Sequence, residues 1–168
     1  MDEKSFQLDF LKSCKKAGFY VKKIPDAIRS PQARFIPSKP YDLFAVHDGQ
    51  FYAMELKYFR PKELKTKVSS FSLNRIRDNQ LEELREVEKH GGKAFVVIVV
   101  DFSETNSLSS CLAYFIPIWT IPDNKGVFEF DYLDEFFRIS RKKNKKREQL
   151  KHIWEVERIF EIMDVKRR

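Results

Sequence analysis

Three side chains carry the chemistry this sequence is able to do: Asp42, Glu55 and Lys57. Between the two acids lies Asp48-Gly49, a dipeptide suited to the left-handed backbone of a two-residue hairpin turn. With the turn there, His47 faces Gln50, Val46 faces Phe51, Phe44 faces Ala53 and Asp42 faces Glu55. Side chains alternate along a strand, so Asp42, Phe44, Val46, Phe51, Ala53, Glu55 and Lys57 share one face. Leu43, Ala45, Tyr52, Met54 and Leu56 share the other. Both faces are largely apolar, which predicts a hairpin covered on both sides.

Directly opposed Cβ atoms lie about 5 Å apart. Two bare carboxylates at that distance repel by about 3 kcal/mol at an effective dielectric of about 20. A divalent cation between them reverses the sign. Mg²⁺ suits such a place, because it is held by one or two carboxylates, waters and substrate phosphate oxygens; Mn²⁺ is expected to substitute. The main-chain carbonyl of Leu56 is a further hard oxygen. Lys57 can then polarise an attacking water or hold a phosphate oxygen during phosphodiester hydrolysis. The structural alternative is that Lys57 does no more than neutralise Glu55 in an ion pair.

The elements that must position these groups are legible on either side. Phe6, Phe10, Leu11, Cys14 and Ala17 recur at helical spacing between Lys4 and Ala17, with Gly18 after them and a short strand from Phe19. From Pro25 to Pro40 the four prolines, with Arg29, Arg34 and Lys39, read as a loop near a phosphate. Leu73, Ile76, Gln80, Leu84 and Val87 predict a helix from Leu73 to His90, closed by Gly91-Gly92. Gln80 lies inside that apolar stripe and needs a hydrogen-bond partner, either a core backbone group or the acids of the hairpin. Ala94 to Val100 is a continuous apolar run, the pattern of a central strand buried on both faces, ending at a further acid, Asp101. Strand, helix and strand there predict a right-handed βαβ crossover. Leu112 to Ile121 reads as another strand, with Pro117 placing it at an edge or a bulge. Tyr132 to Ile139 reads as a short helix. The spacing of Leu150, Ile153, Trp154, Val156, Ile159, Phe160 and Met163 predicts an amphipathic helix that packs on the domain or on a second subunit.

The chain has 168 residues, 42% hydrophobic and 34% charged, which suits a single α/β domain with a real core. A basic helical extension from about 138 to 168 follows it. The net charge of +7 points to a polyanion. A membrane is not expected, since the longest apolar run is far too short to span one. The charged first residues lack the apolar core of a secretion signal, and Cys14 and Cys111 show no paired spacing. A reducing cytoplasm is the expected compartment. Basic residues cluster in two stretches, Arg60, Lys62, Lys65, Lys67, Arg75 and Arg77 after the hairpin, and Arg138 to Lys151 with Arg141, Lys142 and Lys143 at its centre. Either is a phosphate contact or a solvated face.

Pro40-Tyr41-Asp42, then Glu55-Leu56-Lys57, then a helix bearing Gln80 resemble the PD-(D/E)xK nuclease superfamily in order and spacing. The Ser-Phe-Ser-Leu entry, the Gln80-Leu-Glu helix and the Gly-Gly-Lys-Ala-Phe-Val-Val exit between Ser70 and Val100 resemble Holliday-junction resolvases of the RecU type. The resemblance spans roughly Phe6 to Phe137. It implies a restriction-endonuclease-like αβββαβ core, a mixed central sheet flanked by helices. It also implies a homodimer and Mg²⁺-dependent cleavage of branched DNA. By position it makes Asp42 and Glu55 metal ligands, Lys57 the catalytic lysine and Gln80 an accessory residue. The family usually places a Glu after a Phe in the first helix, whereas here Gln7 follows Phe6, with Glu3 one turn earlier. Pro25-Asp26 spells the first half of the motif a second time, but in irregular chain. The leading expectation is a structure-selective DNA endonuclease acting on Holliday junctions. The alternatives are another nuclease of the superfamily (a nickase, flap or restriction-type enzyme) and a DNA-binding module whose site has decayed.

Overall fold

The computed structural model describes residues 3–26, 39–59, 70–101, 111–124, 126–129, 138–143 and 152–158. Helix α1 (Glu3–Lys16) forms because Phe6, Phe10 and Cys14 repeat one turn apart, and all three are buried. Strand β1 (Tyr20–Lys23) follows, then β2 (Leu43–His47) and β3 (Gln50–Phe59), joined by the predicted turn. Asp48 and Gly49 both adopt positive φ, 47° and 76°, the requirement of a primed hairpin turn. The register is the expected one, from His47 opposite Gln50 to Leu43 opposite Met54.

The helix read from Leu73 to His90 is two pieces. A short β4 (Ser70–Ser72) runs into a 3₁₀ turn at Leu73–Arg75, and α2 (Asp78–Lys89) starts only after extended Ile76 and Arg77. Leu73 and Ile76 are buried at a spacing that fits a 3₁₀ turn as well as an α-helix, so periodicity did not reveal the break. The turn into β5 (Lys93–Asp101) needs Gly92, because a Cβ there would sit 2.5 Å from Val87 Cγ1. β3 and β5 are parallel, with α2 between them in sequence as the crossover.

β6 (Cys111–Pro117) pairs antiparallel with β5 and ends in a 3₁₀ turn at Ile118–Thr120. It is an interior strand between β5 and β8 (Arg138–Lys143), so of the two expectations, an edge or a bulge, the edge is overturned. Among the described residues β8 pairs with Leu112–Tyr114, and Pro117 is the last residue of β6, a strand end where a missing N–H is tolerated. β7 (Val127–Glu129) pairs with β4 in a small separate sheet. The C-terminal helical reading is corrected. Arg138 and Ile139 open β8, and Ile153 and Trp154 lie in β9 (His152–Trp154), which pairs antiparallel with β8. Trp154 and Val156 are both buried, an i, i+2 spacing that a single helix face does not give. Trp154 also donates its main-chain N–H to the Ser13 hydroxyl and packs edge-on against Phe6, which fixes β9 on α1. The remaining residues of those two helical readings lie outside the described ones.

The main sheet runs β1-β2-β3-β5-β6-β8-β9. One face packs Leu43, Ala45, Tyr52, Met54, Leu56, Val97 and Val99 in a cluster with Phe6, Phe10 and Cys14 of α1 and with Trp154 and Val156. The other packs Ala53, Val96, Ile98 and Val100 under α2 and the two 3₁₀ turns. The hairpin is therefore covered on both sides, and the αβββαβ order is the expected one. Among the described residues no helix is long and apolar enough to cross a membrane.

Candidate active site

Glu55 lies on the α2-side face of β3, with its neighbours Met54 and Leu56 turned into the opposite layer. It is 1% exposed. Its Oε1 accepts from Lys57 Nζ and from Gln80 Nε2, each at 2.7 Å. Among the described residues its buried Oε2 has no hydrogen-bond partner. Burial pushes the Glu55 carboxyl above its ordinary range, and the negative charge of Asp42 adds to this. Lys57 and Gln80 pull the other way without cancelling it.

Asp42 stands one residue before β2 and just beyond the paired ladder. The two acids are thus not a simple cross-strand pair. The Asp42 N–H donates to the Met54 carbonyl at 3.1 Å, while its Oδ2 accepts the main-chain N–H of Leu56 at 2.9 Å. This places Asp42 against the residue that follows Glu55. Its Oδ1 accepts from Lys39 Nζ at 2.7 Å, and Lys39 also reaches Asp26 Oδ1 at 3.2 Å. Lys39 loses some basicity to burial, but Asp42 and then Asp26 more than restore it. Sequence reading left Lys39 in a loop near a phosphate; its place three residues before Asp42 was the available signal.

Gln80 enters from the first turn of α2. Its Oε1 accepts the Arg77 N–H at 3.2 Å, so the amide nitrogen is left to face Glu55. The helix start is thus tied to the acid, and the polar break in the apolar stripe is explained. Arg75 is exposed, with its guanidinium 5.5 Å from the rings of both Phe59 and Phe71. Phe59 is two residues beyond Lys57, so this cation stands on the same face of β3, toward the strand's end. Arg77 is exposed at the start of α2.

Other expected residues fall elsewhere. Gln7 is buried and accepts from Lys23 Nζ at 2.7 Å, and Lys23 is opposite Leu43, next to Asp42. Asp26 is exposed, its carboxyl held below the usual range by Lys39. Asp101 is on the opposite face of the sheet, accepting from the Tyr58 hydroxyl and from the Cys111 thiol, and is not part of this site. Arg34, Arg60, Lys62, Lys65 and Lys67 lie outside the described residues. So do the side chains of Glu3, Arg141, Lys142 and Lys143, whose backbones lie in α1 and β8.

Among the described residues no three His, Cys, Asp or Glu side chains group as metal ligands. The donors in place still fit a hard divalent cation. Among the described residues Glu55 Oε2 is a buried carboxylate oxygen with no hydrogen-bond donor, and a second carboxylate is close enough to oppose ionisation of the group.

A family model described as "RecU: Recombination protein U" matches residues 49–163, a span that includes Glu55, Lys57 and Gln80 and begins after Asp42. No curated protein matches the sequence. Among solved structures, the chain is similar to Hjc of Archaeoglobus fulgidus, a Holliday junction resolvase from an archaeal hyperthermophile. The two share 21% identity over 77% of this chain and 88% of that one, with a TM-score of 0.47.

Proposed function

Since the chain belongs to the recombination protein U family, we propose that it is a divalent-metal-dependent endodeoxyribonuclease that resolves Holliday junctions. The observation that carries the chemical part is the buried Glu55 carboxylate. One oxygen is fixed by Lys57 and Gln80, and the other is left without a donor beside Asp42.

Asp42 and Glu55, with the Leu56 carbonyl, would hold the cation, Mg²⁺ in the first instance and Mn²⁺ in its place. That ion would supply the charge that eases deprotonation of the attacking water and offsets the build-up on the phosphate. Gln80 keeps Glu55 from turning away. Lys57, partly exposed, holds Glu55 and presents its ammonium to a phosphate oxygen as negative charge develops there. The water oxygen bonds to phosphorus in line with the leaving oxygen. The P–O3′ bond breaks, leaving a 5′-phosphate and a 3′-hydroxyl that takes up a proton. Arg75, its guanidinium set over two rings, and Arg77 supply phosphate contacts at the edge of the site. Arg34, Arg60, Lys62, Lys65, Lys67, Arg141, Lys142 and Lys143 would extend that contact. A four-way junction needs two symmetrical cuts, which a homodimer with two such sites provides.

The test is a panel of four-way junction, flap, nicked and linear duplex substrates in Mg²⁺, run beside Glu55→Gln. The parent is expected to cut the junction in preference. The variant should bind it and leave it intact. Equal cutting of linear duplex removes the junction assignment, and an active Glu55→Gln removes the site.

A further inference from the structure

The face of the sheet that carries Glu55 continues away from the acids as an aromatic surface. Tyr20 pairs with Val46 and Lys22 with Phe44, while Phe44 pairs with Ala53 and Val46 with Phe51. Paired residues on adjacent strands point the same way, so Tyr20, Lys22, Phe44 and Phe51 lie on the face of Glu55. The Phe44 and Phe51 rings stack at 5.8 Å with 18° between their planes. Tyr20 lies 6.3 Å from Phe44 and is 59% exposed, and Lys22 Nζ sits over the Tyr20 ring, 5.8 Å from its centroid, where a base would have to displace it. Phe44 is two residues from Asp42, about 7 Å along the strand, the reach of a nucleotide next to one held at the acids.

We propose that Tyr20, with Phe44 behind it and Lys22 beside it, is a stacking site for an unpaired DNA base next to the branch point. It deepens the junction reading and rests on it. Rings take any base by its π-face, and the adjoining ammonium suits the phosphate that base carries. Bases inside a duplex are stacked on their neighbours and cannot reach the ring; those at a crossover can leave the stack. A second copy of the chain is the poorer occupant. β1 is the last strand of the sheet, and edge-to-edge pairing would bring the exposed Lys22 and Lys23 of two copies together.

The experiment measures affinity for a four-way junction and for a linear duplex of equal length, without divalent metal so that nothing is cut. Tyr20→Ala, Tyr20→Leu and Tyr20→Phe are compared with the parent, and 2-aminopurine placed at the crossover reports stacking. Tyr20 is exposed, so these variants are expected to fold. Tyr20→Ala and Tyr20→Leu should each weaken junction binding about tenfold, equivalent to ~1.4 kcal/mol, and leave duplex binding unchanged. Tyr20→Phe should bind as the parent does, with 2-aminopurine quenched alike. Equal losses on both DNAs, a normal Tyr20→Leu, or a change of oligomeric state overturns the stacking site. A parent without junction preference overturns the junction reading itself. A parent with that preference, undiminished in Tyr20→Ala, overturns the stacking site alone.

Discussion

Among the described residues two carboxylates are almost fully buried in this sheet, one on each face, and they are treated in opposite ways. Asp101 is 2% exposed and Glu55 is 1% exposed. Each oxygen of Asp101 meets a neutral donor, the Tyr58 hydroxyl on one and the Cys111 thiol on the other. At Glu55 both cross-linking donors crowd onto one oxygen, and among the described residues the other has none. A buried acceptor without a partner costs about 1–3 kcal/mol. A site built for stability alone would satisfy it, as the Asp101 site does. The difference separates an acid that completes the fold from an acid reserved for a ligand.

The sharpest way to break this contrast is to neutralise each acid in turn. Glu55→Gln is expected to lower junction cleavage by on the order of 10³ with binding retained. Asp101→Asn should leave cleavage per folded molecule near the parent's. Gel-based cleavage with matched binding assays decides, and an inactive, well-folded Asp101→Asn would erase the distinction. Stability should invert the order. Asp101→Asn places an amide where two donors expect an anion, at a cost of about 1–3 kcal/mol, or roughly 2–4 °C of Tm per kcal/mol at this chain length.

Metal addition then sharpens it. Mg²⁺ at 100 times its Kd should stabilise the parent by about 2.7 kcal/mol in thermal melts, and Asp101→Asn equally, with no such gain for Glu55→Gln. In metal-free buffer the sign follows from the raised Glu55 carboxyl. The folded state keeps a proton that the unfolded chain gives up near 4.5, so this group's contribution falls as pH rises through and above that value. The melting curve of Glu55→Gln should therefore gain on the parent's as pH rises; a constant difference would count against a strained carboxylate. The smallest effect is expected at Lys39, which holds Asp42 at 2.7 Å. Lys39→Met should shift the Mg²⁺ midpoint severalfold toward lower concentration, read by the same melts, because the ion no longer displaces an ammonium.

Much of the site was legible because its logic is local. Asp48-Gly49 sets a turn, the turn sets the register, and alternation carries Glu55 and Lys57 to one face whatever the rest of the chain does. The polar Gln80 in an apolar stripe announced a partner, which proved to be Glu55. The C-terminal segment was misread because Leu150, Ile153 and Trp154 stand at the i, i+3, i+4 spacing of a helix face. Pairing with β8 and packing on α1, 141 residues away in sequence at the Ser13 contact, settled it as a strand.

Spacing along the chain was thus enough for the hairpin and for the shared face of Glu55 and Lys57, since each depends on neighbours a few residues apart. Tertiary structure alone decided which buried acid is satisfied. The donors to Asp101 come from Tyr58, 43 residues away, and Cys111, ten away, and the Gln80 contact with Glu55 spans 25. Whether a carboxylate oxygen is left without a donor depends on everything packed around it, and no periodicity in the sequence records that.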